Sequence, residues 1–267
     1  MDALHAIILG IVEGLTEFLP ISSTGHLIIA EHYIQFKDTA EIFTVSVQAG
    51  AIAAVIWYYR KDISSRISGF FRRDRAQVEF MKNLSIATAP ALVLAFLLKD
   101  EFDKYAKPSV VAFALIAGAG VLWWTDKKFP PHKEKAVPNL DKLTTKNALF
   151  AGLAQCIAII PGVSRSGASI VGGMFGGMSR VNSAALSFYM AVPIILLATA
   201  YKLFSGRNEL AISVDGGVQS IVIGVVVSFA VALVAISWLI KYVSNHSFKL
   251  FIYYRIVLGL LVLALLN

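Results

Sequence analysis

The stretch EGLTEFLPISSTGH, residues 13–26, places carboxylates, a proline, hydroxyls and a histidine inside an otherwise apolar segment. Residues 3–19 resemble a membrane helix, but they carry Glu13 and Glu17 and break at Pro20, because proline disfavours helical geometry in the residue before it. The continuation TGHLIIAEHYI would reach only about 16 Å as a helix, half of a bilayer core. The stretch therefore predicts a re-entrant helix-loop-helix, whose non-helical turn is tolerated only inside protein or beside a polar cavity.

Composition indicates a membrane protein. The 267 residues are 57% hydrophobic and 15% charged, whereas a soluble domain is about 25% charged. The net charge of +7 lies in loops between apolar runs, as in cytoplasmic loops that face anionic lipid, so no nucleic-acid partner is expected. The single cysteine, Cys156, excludes a disulfide framework, and no removable signal peptide is expected.

The remaining apolar segments predict an all-α integral membrane protein with six transmembrane helices. Four segments match the roughly 20 residues that one crossing needs, and two are shorter but strongly apolar. These six segments are 41–59, 109–125, 184–204 and 217–240, followed by the shorter 84–98 and 250–266. Residues 147–160 break at Pro161–Gly162 and continue in a Gly-rich segment to Arg180, which predicts a second re-entrant helix-loop-helix pair.

Loop charge predicts the orientation. Loop 60–82 holds seven Lys or Arg and loop 126–148 holds six, whereas loops 99–108 and 202–216 hold three and two. Basic loops face the cytoplasm, so the first two are expected there. Counting the spans then puts both termini on the outer side.

The two halves of the chain repeat when the sequence is shifted by 142 residues. The matched pairs are Gly10 with Gly152, Glu13 with Gln155, Ser22 with Ser164, Thr24 with Ser166, and Gly25 with Gly167. We expect one membrane domain over 1–267, with halves of about 1–125 and 143–267 joined by cytoplasmic loop 126–142. Because each half has three spans, the halves have inverted topology, and such repeats place their site where broken helices meet near the midplane.

The first polar loop carries the parts of a nucleophilic site. Ser22 or Ser23 can cap the helix after Pro20, and His26 then follows Ser23 on the same face, which pairs a hydroxyl with a base. Glu13 and Glu17 share a helix face, where one can orient His26 and the other can hold a cation.

The second polar loop, PGVSRSGAS, carries the parts of an anion site. Arg165 suits bidentate contact with phosphate, and a helix expected to start after Gly167 offers backbone amides. Hydroxyls that can also bind phosphate are those of Ser164, Ser166 and Ser169 in this loop, with Ser22 and Thr24 in the first. Together the two loops predict phosphoryl transfer.

Both motifs resemble the signatures of the bacterial undecaprenyl-diphosphate phosphatase family of the bacitracin-resistance type, and the likeness covers the whole chain. The resemblance implies hydrolysis of undecaprenyl diphosphate in the bacterial inner membrane, with a site open to the outer side. It also implies a divalent cation, Mg²⁺ or Ca²⁺, a polyprenyl diphosphate substrate within membrane lipid, and leaves a homodimer open.

Carried over by motif, the resemblance assigns catalysis to Glu13, Glu17, Ser23 and His26, and phosphate binding to Arg165. Glu13 and Glu17 are also the metal ligands that it implies. The motif commonly ends in threonine where this chain has Ser169, which keeps the hydroxyl but loses a methyl group.

Several alternatives stay open on the sequence alone. Ser22 competes with Ser23 as nucleophile, and His26 itself can accept the phosphoryl group or serve as an interior hydrogen-bonded histidine. Arg165 can form a structural ion pair with a glutamate. Inverted repeats with broken helices also occur in transporters, so a transporter or lipid-carrier flippase is the competing function.

Overall fold

The computed structural model describes residues 3–36, 38, 41–98, 107–205 and 217–265. Within these ranges the regular structure consists of α-helices and one 3₁₀ turn, Ile157–Ile159. The helices are α1 Ala3–Thr16, α2 Ser23–Ile34, α3 Ile42–Tyr58, α4 Arg60–Phe71, α5 Arg75–Leu97, α6 Pro108–Lys128, α7 Thr145–Cys156, α8 Arg165–Phe175, α9 Arg180–Ser205, α10 Gly217–Val243 and α11 Lys249–Leu265.

Four of these helices, α5, α6, α9 and α10, are long and apolar enough to cross a membrane. The pair α3 and α4, bent by 77° between them, gives a fifth candidate. The protein is therefore an all-helical, multi-pass membrane protein. The predicted segment 250–266 forms α11, and its last residue lies outside the described residues.

The prediction of a loop over residues 60–82 is wrong. Residues 60–71 form α4, and α5 already begins at Arg75, where the Asp74 carboxylate accepts a hydrogen bond from the Ala76 amide at 2.9 Å. Clustered basic side chains report the side of the membrane, but helix formation depends on backbone hydrogen bonds and caps. Of the other loops used for orientation, 99–108 and 202–216 lie mostly outside the described residues, whereas 126–148 is described.

The polar loops do interrupt the helices where proline predicts a break. Helix α1 ends at Thr16, three residues earlier than expected, although the Glu17 amide still donates to the Glu13 carbonyl at 3.0 Å. Helix α2 begins at Ser23, and α8 begins at Arg165, earlier than the expected start after Gly167, because Ser164 caps it. These two starts are 142 residues apart, as are the starts of α1 at Ala3 and α7 at Thr145.

Helices from the two halves of the chain pack against each other. Helix α10 lies against α1 and α3, α9 against α3, α5 against α7, and α6 against α11. Gly10 in α1 and Gly152 in α7 permit two of these approaches, since a Cβ there would lie 2.7 Å from the Gly224 carbonyl oxygen and 2.5 Å from that of Ala87. Small residues at helix contacts are typical of membrane bundles, and this packing brings the two polar loops together.

Candidate active site

A polar cavity of about 170 Å³ lies between the two loops. Both loops, the turn before α8 and one residue of α3 line it. The lining residues are Glu17, Ser22, Ser23, Thr24, Gln48, Ala158, Ile160, Pro161, Gly162, Ser164 and Arg165. Its volume is on the scale of a diphosphate group and far below that of a long isoprenyl chain.

Glu17 joins the two loops inside this cavity. Ser23 Oγ donates a hydrogen bond to Glu17 Oε2, and Arg165 Nη2 forms an ion pair with Glu17 Oε1. Glu17 is almost fully buried, whereas the Arg165 side chain keeps 23% of its surface exposed. A hydroxyl, a carboxylate and a guanidinium are thus aligned at one point, with the guanidinium able to reach an incoming anion.

Two helix N-termini also face the cavity. Ser22 Oγ accepts from the Gly25 amide at 3.3 Å, and Ser164 Oγ accepts from the Gly167 amide at 3.1 Å. Both serines have positive φ, 73° and 77°, a strained conformation for a residue with a Cβ. Unpaired amides and the dipole at the start of a helix favour an anion, so α2 and α8 reinforce Arg165.

His26 does not contact Ser23, so the expected serine–histidine hydrogen bond is absent from this arrangement. His26 Nδ1 lies 2.7 Å from the Ser22 carbonyl oxygen, and Nε2 lies 2.6 Å from the Tyr254 hydroxyl. Because a carbonyl only accepts, Nδ1 carries the proton, and when the ring is neutral Nε2 accepts from the Tyr254 hydroxyl. Helix α2 places His26 three residues after Ser23 as expected, but the ring nitrogens of His26 bond to Ser22 and to Tyr254 of α11 instead.

Glu13 and Gln155, which the 142-residue shift pairs, are both buried and do not line the polar cavity. Among the described residues, neither carboxylate oxygen of Glu13 and neither amide atom of Gln155 has a hydrogen-bond partner. Glu13 lies within electrostatic reach of Glu17 and Arg165. An orphaned buried carboxyl requires a ligand, a proton or water.

The remaining hydroxyls of the second loop bind protein atoms. Ser166 Oγ donates to the Leu19 carbonyl at 2.8 Å and lies 3.1 Å from Ser164 Oγ. Ser169 Oγ donates to Ser187 Oγ at 2.7 Å. Neither Ser166, Gly167 nor Ser169 lines the cavity, so these residues hold the loop whereas Thr24, Ser22 and Ser164 face the open space.

Sequence reasoning missed Gln48, Tyr254 and Arg255. Gln48 lies in apolar α3 and Tyr254 in α11, where no local pattern marks either as a partner of the cavity or of His26. Arg255 did carry a signal, because an arginine inside an apolar segment marks a functional position by default.

An apolar cavity of about 140 Å³ adjoins the polar one. The two share Ala158 and Arg165, and the apolar cavity continues between α5, α7 and α9. It is lined by Ala91, Ala95, Gln155, Cys156, Ala158, Ile159, Arg165 and Ile194. An anion site with an apolar annex suits an amphiphilic ligand.

Comparison with known proteins shows the family of this chain. The sequence matches the family described as bacitracin resistance protein BacA over residues 6–261. The chain belongs to this family. BacA relatives named undecaprenyl-diphosphatase include one from Acinetobacter baumannii strain AYE, 44% identical over 98% of this chain and 95% of the relative. A relative from Burkholderia lata, named undecaprenyl-diphosphatase 1, is 44% identical over 97% of this chain and 93% of the relative. Another protein of that name, from Paraburkholderia xenovorans, is 45% identical over 98% of this chain and 94% of the relative.

Proposed function

We propose that this BacA-family protein hydrolyses undecaprenyl diphosphate to undecaprenyl phosphate and inorganic phosphate, which recycles the lipid carrier of cell-wall synthesis. The names of its relatives support this activity. The observation that carries it is the contact of Glu17 with both Ser23 and Arg165 between two helix N-termini. A transporter or flippase is not favoured, because transport has no need of a hydroxyl bonded to a carboxylate.

The first step is attack by Ser23 Oγ on the terminal phosphorus. Glu17 takes the hydroxyl proton, the new bond joins Ser23 Oγ to phosphorus, and the bridging bond breaks. Undecaprenyl phosphate leaves with the bridging oxygen. Arg165 neutralises Glu17 in the ligand-free protein. When the Arg165 guanidinium binds the diphosphate instead, the Glu17 carboxylate is free to act as base.

In the second step water attacks the phosphoserine and releases inorganic phosphate, while Ser23 regains a proton. Arg165 and the N-termini of α2 and α8 stabilise the charge on the phosphoryl oxygens in both steps, which is the largest contribution in such reactions. Ser22 is the weaker candidate for nucleophile because its hydroxyl caps α2.

His26 is assigned a supporting role. Its Nε2 is engaged by Tyr254, so it orders the first turn of α2 and can exchange a proton through Tyr254. Attack by His26 on phosphorus would require this contact to break.

A divalent cation fits the site only together with substrate. The described residues contain no cluster of three or more His, Cys, Asp or Glu that would hold a metal alone. Mg²⁺ usually binds one or two carboxylates plus substrate phosphates. Glu17, which lines the cavity, would supply one carboxylate, and Glu13, one helical turn behind the cavity wall, would supply a second only by turning toward it. The cation would neutralise charge on the diphosphate. A chelator should abolish phosphate release, and Mg²⁺ or Ca²⁺ should restore it.

The isoprenyl chain would leave the polar cavity past Arg165 and Ala158 into the apolar cavity between α5, α7 and α9. This route keeps the diphosphate on the two helix N-termini and the chain in contact with lipid. The apolar lining of that cavity supports the assignment.

The proposed site also implies a membrane topology for the chain. Six spans and two re-entrant pairs, arranged as inverted repeats in the inner membrane, would open the polar cavity to the outer side. The repeated helix starts of α1 with α7 and α2 with α8 support the repeat, and the basic residues of α4 and loop 126–148 support the orientation.

Purified protein in detergent, given undecaprenyl diphosphate and Mg²⁺, tests the activity through released phosphate. We expect Ser23→Ala to abolish release and Arg165→Lys to raise KM, since lysine lacks the planar fork that binds phosphate. Ser68→Ala in α4 is the matched control for Ser23. Undiminished release by Ser23→Ala would reject the mechanism, and no release by the wild-type protein would reject the activity.

A further inference from the structure

Arg255 of α11 connects both polar loops to the bundle. It is 1% exposed. Its five hydrogen bonds run from Nε to Leu115 O at 3.0 Å, from Nη1 to Pro20 O at 3.0 Å and Val163 O at 3.1 Å, and from Nη2 to Ala114 O at 3.0 Å and Gly162 O at 3.1 Å. A guanidinium has five N–H donors, so the whole group is used, and every acceptor is a backbone carbonyl.

The charge of Arg255 has no counterion within the part of the chain that the structure describes, since no described carboxylate forms an ion pair with it. Burying an arginine inside an apolar segment is costly, so such a residue is functional by default. Neutral side chains could donate hydrogen bonds to these carbonyls, so hydrogen bonding alone does not explain a positive charge at this place. A cation at this place also adds positive potential beneath the two helix N-termini that face the polar cavity.

The carbonyls that Arg255 binds lie next to the reacting groups. Pro20 stands between Glu17 and Ser23 in the first loop, and Gly162 and Val163 immediately precede Ser164 and Arg165 in the second. Nη1 alone spans both loops, through the Pro20 and Val163 carbonyls. The distance between the loops decides whether Glu17 meets Arg165.

We propose that Arg255 is a positioning residue for the phosphatase reaction: it holds the two polar loops at the separation that aligns Ser23, Glu17 and Arg165. This inference rests on the proposed function. The position that the 142-residue shift pairs with Arg255 is Phe113, so one arginine from the second half serves the loops of both halves.

Helix α6 offers an independent way to disturb this group. A Cβ at Gly118 would lie 2.0 Å from Arg255 Nη2. The end of an arginine usually moves aside easily, but here five hydrogen bonds hold it. Gly120 lies on the same helix, and a Cβ there meets nothing within 4 Å, which makes Gly120→Ala a matched control for Gly118→Ala.

The test compares Arg255→Lys, Gly118→Ala and Gly120→Ala as purified proteins, by kcat and KM for undecaprenyl diphosphate and by hydrogen–deuterium exchange. Lysine keeps the charge but has three donors. We expect Arg255→Lys and Gly118→Ala to lower kcat by about 100-fold, the effect of displacing reacting groups by about 1 Å, with a much smaller change in KM. Exchange should rise in residues 17–26 and 160–168 but not in α9, and Gly120→Ala should match the wild type.

Wild-type kcat in Gly118→Ala, with unchanged exchange in both loops, overturns the proposal. It is also overturned if activity falls only in proportion to folded protein while exchange rises throughout. If Arg255→Lys does not fold, the comparison of Gly118→Ala with Gly120→Ala decides. If the wild type releases no phosphate, the proposed function fails, whereas the exchange of the two loops still tests the role of Arg255.

Discussion

At the scale of single residues, Glu17 decides what the cavity can do. Its two carboxylate oxygens bind different partners, a hydroxyl from its own loop and a guanidinium from the other. The same carboxylate can therefore restrain Arg165 before substrate binds and accept a proton from Ser23 afterwards. Replacing Glu17 with glutamine removes the charge of the side chain and keeps its shape, so this variant separates the two roles.

Glu17→Gln should lower kcat by about 10²–10⁴-fold, the usual contribution of a general base, without raising KM, because Arg165 would be freed for phosphate. Steady-state kinetics of released phosphate measure both constants. Glu41→Gln is the control, since Glu41 forms an exposed ion pair with Lys202. A Glu17→Gln protein with full kcat would show that another group takes the proton.

At the scale of elements, the site depends on where two helices begin. Serine caps at positive φ start α2 and α8 at the cavity wall. Helix α7 begins instead with a capping box, in which Thr144 Oγ1 accepts from the Asn147 amide at 3.2 Å, outside the polar cavity. Caps of similar strength thus lie inside and outside the site.

Ser164→Ala and Thr144→Ala should each lower the free energy of unfolding by about 1 kcal/mol, the typical cost of losing an N-cap. Only Ser164→Ala should reduce phosphate release, because the start of α8 orients Arg165. Thermal unfolding in detergent and the phosphatase assay measure the two effects. Equal activity of the two variants would contradict the role of α8.

The apolar cavity beside α5 predicts selectivity for chain length. Ala91→Phe would fill the cavity, so we expect activity on undecaprenyl diphosphate to fall more than activity on a short prenyl diphosphate. Val93→Phe, an exposed position on the same helix that does not line this cavity, adds equal bulk as a control. Equal losses of activity on both substrates would mean that the isoprenyl chain does not bind in this cavity.

At the scale of the whole molecule, buried ion pairs join segments that are distant in sequence. Arg180 at the start of α9 lies 2.8 Å from Asp126 at the end of α6, and their side chains are 2% and 11% exposed. Arg180 also packs over the Phe248 ring. These contacts unite α6, α9 and the residues before α11 at one end of the bundle.

Arg180→Met should destabilise the fold by about 3–5 kcal/mol, because it leaves Asp126 buried without its partner. Lys82→Met should cost at most about 1 kcal/mol, since the Lys82–Glu79 pair is exposed. Thermal unfolding of the two variants in one detergent measures the contrast. Similar midpoints would mean that water reaches Asp126.

The sequence by itself determined the helical membrane class, the two helix breaks and the serine cap of α2, because these depend on local composition, proline geometry and capping. Helix α4 escaped prediction because basic residues mark a membrane face without specifying backbone conformation.

Only the tertiary structure decided which side chains meet. Glu17 pairs with Arg165 across 148 residues, His26 turns to Tyr254 across 228, and Arg255 reaches Pro20 across 235. Such contacts depend on how the helices pack, which no local spacing encodes. The sequence therefore supplied the reacting groups, whereas the packing of α6, α8 and α11 around the loops selected Glu17 over His26 as the partner of Ser23.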